Sequence, residues 1–370
     1  MSKYKKLSFI WLLSILAVVF FHAVIYFTYM QKVFPKSPYT IGDLARMSYS
    51  ADLVDLRENR IDLNKKHIEE KDYLNEKIDF LTIGDSFSNG GGGGLNTYYQ
   101  DYIATTYDKN VLNITHFKDA KNYIETVSRL FNSGELERMG VKYVLIESVQ
   151  RFAMQRFSIN QLDFSNNDIT IFKNKIENNF KNTELKKRLE HTINDDIGII
   201  NNLNLNALIY NLRFKIKGYG KINSDIYREK MDKNLFSTGI SDEILFFHED
   251  LDHLKFETKE NIELLNKNFN TLANLLAQKN IKLIFMPAVD KYNLYSPYII
   301  SNSYAKSMFF EYLDTLQKDY IFINSKKILS EYLEKDEKDI FYVDDTHWSY
   351  KASEAIANNL KKEIDDVIYK

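Results

Sequence analysis

"LTIGDSFSNGGGGGL", residues 81–95, decides how this chain is read. An apolar run ends in Gly84-Asp85-Ser86, and Gly90 to Gly94 follow almost at once. Two chemistries use such a stretch. A glycine-rich loop cradles a phosphate with its backbone N–H groups, whereas a tight turn at a strand end presents a nucleophile. A P-loop requires G-x-x-x-x-G-K-[ST], because the lysine reaches the phosphates. Here Leu95, Asn96 and Thr97 follow the glycines, and no lysine stands in place. The dinucleotide pattern G-x-G-x-x-G fits any run of five glycines and so selects nothing; it also needs a strand directly before it. Asp85-Ser86 occupy that turn instead. Ser86 at the end of a parallel strand sits where open α/β sheets bind their ligands. The N–H groups of such a turn suit an oxyanion, so Gly90 and Gly91 are candidate donors beside Ser86 itself.

A serine nucleophile needs a base, and the base needs an orienting group. The chain has seven histidines. His248 and His253 resemble a zinc pair, but their spacing of five turns the rings about 140° apart on a helix. His67, His116 and His191 have no partner pattern and read as structural or surface residues. His22 lies inside an apolar span and reads as a tolerated polar residue near a helix end. His347 differs. In "IFYVDDTHWSYKASEAIANNL" it lies between a last strand and a final helix, with Ser349 as an N-cap. Asp344, three residues before it, is the expected orienter, and Asp345 is its rival. His347 then takes the proton of Ser86, and the aspartate steadies the imidazolium.

Five short apolar runs read as buried strands: 77–84, 109–116, 141–148, 281–288 and 319–325. Residues 259–279 carry Ile262, Leu265, Phe269, Leu272 and Leu276 at helical spacing, one apolar face. Strands alternating with helices predict a three-layer α/β/α fold around a mostly parallel sheet. Residues 76–151 and 246–370 are the expected two parts of that core. Between them, 152–245 is polar, rich in Asn and Lys, and reads as a mostly helical insertion that caps the site; its stretch "NTELKKRLEH" reads as a solvated helix face.

From Leu7 to Gln31 the sequence has no Asp, Glu, Lys or Arg. About 20 apolar residues cross a bilayer, and no small-x-small cleavage site follows, so residues 1–31 read as an uncleaved signal anchor in preference to a cleaved signal peptide. Lys3, Lys5 and Lys6 precede the span and favour a body outside the cytoplasm. Residues 32–75 read as a tether. Cysteine is absent, which excludes thiolate metal sites, cysteine nucleophiles and disulfides. A net charge of −2 makes no case for nucleic acid.

Gly84-Asp85-Ser86 with Asp344-x-x-His347 resembles the SGNH (GDSL-type) hydrolase superfamily. "DDTHWSYKASEAIA" is similar to the D-T-H-W segment of bacterial polysaccharide O-acetyltransferases of the alginate type, and "FMPAVDKYNLYSPYI" (285–299) and "LIESVQR" (145–151) resemble two further segments of that group. In the alginate group the Asp–His segment precedes the serine. Here the serine comes first, as in peptidoglycan O-acetyltransferases of this fold, so the resemblance implies a cell-envelope glycan without implying alginate. The usual oxyanion Asn has no counterpart, and Glu147 to Arg151 occupy its place. The resemblance implies that Arg151 and Tyr295 position the acyl group or oxyanion; Lys291 either orients a sugar or pairs with Asp290.

The resulting expectation is a single-pass protein of the bacterial inner membrane with an extracytoplasmic catalytic body. It would pass an acetyl group through Ser86 to a glycan, using a multispanning membrane acyltransferase as donor and no cofactor or metal. An acetyl esterase with the same acyl-enzyme, and a non-catalytic glycan-binding scaffold, are the alternatives.

Overall fold

The computed structural model describes residues 2–33, 41–50, 63–93, 96–182, 198–217, 220–221 and 225–368. The stretch 183–197, which holds His191 and nearly all of "NTELKKRLEH", lies outside them, as do Gly94 and Leu95. Nine strands are described: β1 (Ile68–Glu69), β2 (Phe80–Ile83), β3 (Val111–Ile114), β4 (Tyr143–Val149), β5 (Gly220–Lys221), β6 (Ile226–Lys230), β7 (Glu243–Phe247), β8 (Lys282–Ala288) and β9 (Ile321–Phe322). Six form one parallel sheet in the order β1-β3-β2-β4-β8-β9. The five apolar runs of the sequence supply five of these strands. They read as continuous apolar runs because a parallel sheet is covered on both faces; β2 and β3 are buried at every position.

The strand order reverses between β2 and β4. From β2 the chain steps outward to β3 on one side, then returns to lay β4 on the other. The crevice beyond the carboxyl ends of β2 and β4 is therefore the switch point at which such sheets place their ligands. Pairing of β4 with β8 over Tyr143–Val149 and Lys282–Ala288 joins the two halves of the chain in one sheet.

Two sets of helices cover that sheet. Lys259–Ala277 packs on Tyr123–Asn132, Gln150–Phe157 and β8. Thr258 caps it by accepting from the Asn261 N–H at 3.3 Å, and Ile262, Leu265, Phe269, Leu272 and Leu276 are its buried stripe. Phe269 stacks on Phe285 of β8 with centroids 4.0 Å apart and meets Phe157 edge-on at 5.0 Å. Tyr350–Ile368 packs on Tyr99–Tyr107 and Ser325–Glu334.

Two segments differ from the expectation. Part of the stretch read as a tether is built into the body. Leu44, on the short helix Asp43–Ser48, packs with Ile226 and Leu245, and β1 adds an edge to the main sheet. Within 152–245, the helices Thr170–Asn182 and Asn202–Lys217 are joined by a second, antiparallel sheet, β5-β6-β7. Its strand β6, IYREK, escapes a search for apolar runs because charges interrupt it. Arg228 and Glu243 are both buried, and Arg228 Nε donates to Glu243 Oε2 at 2.5 Å across the pair. Local charge hides a strand whose partner supplies the counter-charge.

The N-terminal helix, Lys3–Val33, is long and apolar enough to cross a membrane, and its most apolar stretch is wholly unburied. Replacing Phe269 by Ala should cost about 3–5 kcal/mol, the usual loss for a fully buried aromatic, read as a lowered thermal midpoint of the full-length protein.

Candidate active site

Ser86 follows β2 directly, and its side chain is exposed. Its Oγ lies 2.7 Å from His347 Nε2. On the other side of the imidazole, Nδ1 lies 2.7 Å from Asp345 Oδ1. His347 and Asp345 are buried. The three side chains form an unbroken nucleophile–base–carboxylate relay, open at the serine and closed at the acid.

The orienting carboxylate is Asp345, where the sequence led to Asp344. The reason is local. Asp345 Oδ1 accepts from the His347 backbone N–H at 3.0 Å as well as facing the ring, an aspartate bonding two residues on. That turn closes ring and backbone over one oxygen, so a spacing of two suffices. Asp344 points elsewhere: its Oδ2 accepts from Gly42 N–H at 2.8 Å, and its carbonyl accepts from Ala45 N–H at 3.0 Å. A third acid went unforeseen. Asp43 accepts from the Thr346 N–H at 2.8 Å and from Thr346 Oγ1 at 2.6 Å, and its Oδ2 lies 4.0 Å from His347 Nδ1. No periodicity marks it; it reaches the site from 303 residues away.

Burial disfavours the charged imidazole, but the hydrogen bond and charge of Asp345, helped by Asp43, outweigh it and hold His347 above its ordinary value. Asp43 is itself raised, by burial and by the Asp345 carboxylate.

The glycine run makes a turn, with no helix starting at Ser86. Asn89 N–H donates to Asp85 O at 3.1 Å, and Gly91 N–H to Ser86 O at 2.7 Å. The Gly91 amide is thus spent inside the turn that shapes Ser86. A Cβ on Gly91 would stand 2.3 Å from His347 Nε2, so only glycine lets the chain pass beside the catalytic ring. Gly90 has φ +81° and lies against Tyr98. Gly84 is equally constrained, since a Cβ there would lie 2.3 Å from Glu147 Oε2.

Two buried polar groups support the serine turn. Asp85 accepts from Val149 N–H at 2.8 Å and pairs with Arg156, whose Nη1 also donates to Ser148 Oγ at 2.7 Å. Burial alone would raise the Asp85 carboxyl, but the guanidinium and the amide hold it below the ordinary range. Glu147 Oε2 accepts from Asp85 N–H at 3.0 Å and Ser88 Oγ at 2.8 Å. Burial and the neighbouring Asp85 charge push Glu147 well up, which favours its neutral acid.

The remaining residues singled out in the sequence take framework positions. Arg151 Nη1 donates to Asp290 Oδ1 at 2.8 Å and to Asp250 Oδ1 at 3.3 Å. The buried Nζ of Lys291 donates to the carbonyls of Tyr342, Val343 and Asp345 at 2.7, 2.8 and 3.0 Å. Tyr295 is fully buried, stacks on Phe236 at 5.3 Å and accepts from Phe341 N–H at 3.2 Å. Lys291 and Tyr295 therefore hold the loop that carries His347. His253 Nδ1 faces the Arg151 carbonyl at 2.9 Å and His248 Nδ1 faces Asp252 Oδ2 at 2.5 Å, so the two rings serve separate contacts.

With this geometry in place, comparison with known families shows what the segment around His347 is similar to. Residues 241–369 match the family model ALGX, the SGNH hydrolase-like domain of the acetyltransferase AlgX. The matched stretch holds β7 to β9, Lys291, Asp345 and His347, and Ser86 lies before it. Residues 241–369 are thus similar to an SGNH hydrolase-like domain, and the parallel α/β sheet agrees with that likeness. No curated protein and no solved structure gave a match. Among the described residues, Asp43, Asp345 and His347 are the acids and histidine close enough to share a metal ion. Their donor atoms are already hydrogen bonded within the relay or to Thr346, an arrangement suited to handling a proton.

Three substitutions test the site. Only the neutral imidazole accepts a proton, so activity should rise with pH through the His347 pKa, with a midpoint above the ordinary histidine value of about 6.5. Asp345→Asn removes the group that raises it; the midpoint should move down and the rate should fall on the order of 10³–10⁴-fold. Asp344→Asn should leave the midpoint in place. Gly91→Ala should displace the imidazole and lower kcat about 100-fold or more, with thermal unfolding little changed.

Proposed function

We propose that this protein is a membrane-anchored serine acyltransferase that O-acetylates a glycan of the cell envelope through an acetyl-serine intermediate. The observation that carries the reading is the 2.7 Å and 2.7 Å relay from an exposed Ser86 through His347 to Asp345. The ALGX match over the His347 segment supports acetyl transfer, and the apolar helix Lys3–Val33 supports an anchor with the body extracytoplasmic.

The cycle has two halves. Ser86 Oγ attacks the acetyl carbonyl carbon as His347 Nε2 takes its proton. The Ser86 N–H, at the turn after β2, faces the developing oxyanion. The tetrahedral species collapses, the leaving group takes the proton from His347, and acetyl-Ser86 remains. A sugar hydroxyl then gives its proton to His347 and attacks the same carbon, and Ser86 recovers its proton as the acetyl group departs. Asp345 keeps Nδ1 protonated and steadies the imidazolium in both halves. A multispanning membrane acyltransferase supplies the acetyl group, and the acceptor is an envelope polysaccharide, whose bulk suits a nucleophile on the surface.

The same exposure admits water, so an acetyl esterase is the second reading. Full-length protein in detergent, pulsed with p-nitrophenyl acetate and followed by intact mass, separates them. One acetyl on the wild type, none on Ser86→Ala, and faster release with an oligosaccharide acceptor are the results expected for transfer. Release indifferent to the acceptor means an esterase. Equal, unlabelled wild type and variant would remove the catalytic reading.

A further inference from the structure

The helix Asn202–Lys217 has two apolar faces, and the described residues cover one of them. On the covered face, Asn204 and Ala207 are buried. Leu203 and Tyr210 pack there against Met30, Ile25, Tyr26 and Tyr29 of the N-terminal helix, together with Tyr49. The contact is polar as well as apolar. Asn204 Nδ2 lies 2.9 Å from His22 Nδ1, Tyr29 OH donates to Asn211 Oδ1 at 3.1 Å, and Tyr210 stacks on Tyr49 at 5.3 Å.

The other face carries Leu205, Leu208, Ile209, Leu212 and Ile216, all exposed, and the loop before the helix adds exposed Ile199 and Ile200. At about 100° per residue, those five helical positions fall within an arc of roughly 100°, a single stripe. Lys215 borders it on one side and Arg213 on the other, both exposed. An apolar stripe edged by cations is the arrangement of a helix lying in a membrane interface.

The depth agrees. Leu7 to Ile25 is a helical length of about 28 Å, close to the hydrocarbon thickness of a bilayer. Residues His22–Met30, which the second helix touches, then stand at the level where the span leaves the lipid. Tyr26 and Tyr29 are the aromatic residues favoured there. A helix held at that depth with a bare apolar stripe has lipid beside it.

We infer that Asn202–Lys217 is a second membrane-contacting element, a helix lying in the outer interface beside the anchor, with Leu205, Leu208, Ile209, Leu212 and Ile216 in the acyl boundary and Arg213 and Lys215 at anionic headgroups. The inference rests on reading Lys3–Val33 as a span. Because the span, Tyr49 and this helix are packed together, the bilayer grips the body at two points and fixes its orientation over the surface.

The natural absence of cysteine makes the test direct. Single Leu208→Cys, Leu212→Cys and Ile216→Cys variants of the full-length protein are spin-labelled and reconstituted in vesicles of phosphatidylethanolamine and phosphatidylglycerol. Ile15→Cys reports on the anchor and Glu260→Cys on water. Relaxation by lipid-soluble oxygen is compared with relaxation by a water-soluble nickel chelate. The three helix sites should favour oxygen, as Ile15 does, and Glu260 should favour nickel. Helix sites that favour nickel while Ile15 favours oxygen would overturn the inference and leave the anchor standing. Helix sites shielded from both reagents would mean that a protein partner or a second copy covers the stripe, which also overturns it. If Ile15 itself favours nickel, the anchor reading fails and this inference with it.

Discussion

A buried ammonium aimed at three carbonyls holds the His347 loop in place. Lys291 Nζ donates to Tyr342, Val343 and Asp345, three residues that lead directly to His347. Burying a cation is costly unless its donors are satisfied, so the loop is bound to the one conformation that satisfies them. Asp43 grips the same loop from outside through Thr346. Between these two contacts, Asp345 has one place to put its carboxylate, and His347 one direction in which to point Nε2.

The serine is held as firmly from its own side. Its turn begins where β2 ends, and the acids beneath it divide the work. Arg156 holds the Asp85 carboxyl below its ordinary range, while burial pushes Glu147 well up as it accepts from Ser88 and the Asp85 amide. Glycine at 84 and 91 is a steric requirement on both flanks, against Glu147 below and His347 above. In a glycine run that resembles a phosphate cradle in the sequence, Gly91 brings the backbone past an imidazole.

The catalytic loop is also tied to the membrane-proximal end of the chain. Gly42, Asp43 and Ala45 bond Asp344, Asp345 and Thr346. A few residues on, Tyr49 packs against the N-terminal helix and Tyr210. Segments that read as tether and insertion thus form a continuous bridge from the apolar helix to the active site.

The sequence by itself determined the parallel core, because strands buried on both faces must be apolar along their whole length. It also singled out Ser86 and His347, which the fold brings within 2.7 Å, since a strand-end Gly-Asp-Ser and a histidine beside acids are local patterns. The choice of Asp345 over Asp344, the arrival of Asp43, and the framework roles of Lys291 and Tyr295 were decided only by tertiary structure. Each depends on which carbonyl, amide or ring stands opposite after folding, and those partners are set by the packing of distant segments. Strand β6 was hidden for the same reason. Arg228 and Glu243 look like surface charges in the sequence, and only the pairing of one against the other makes them interior.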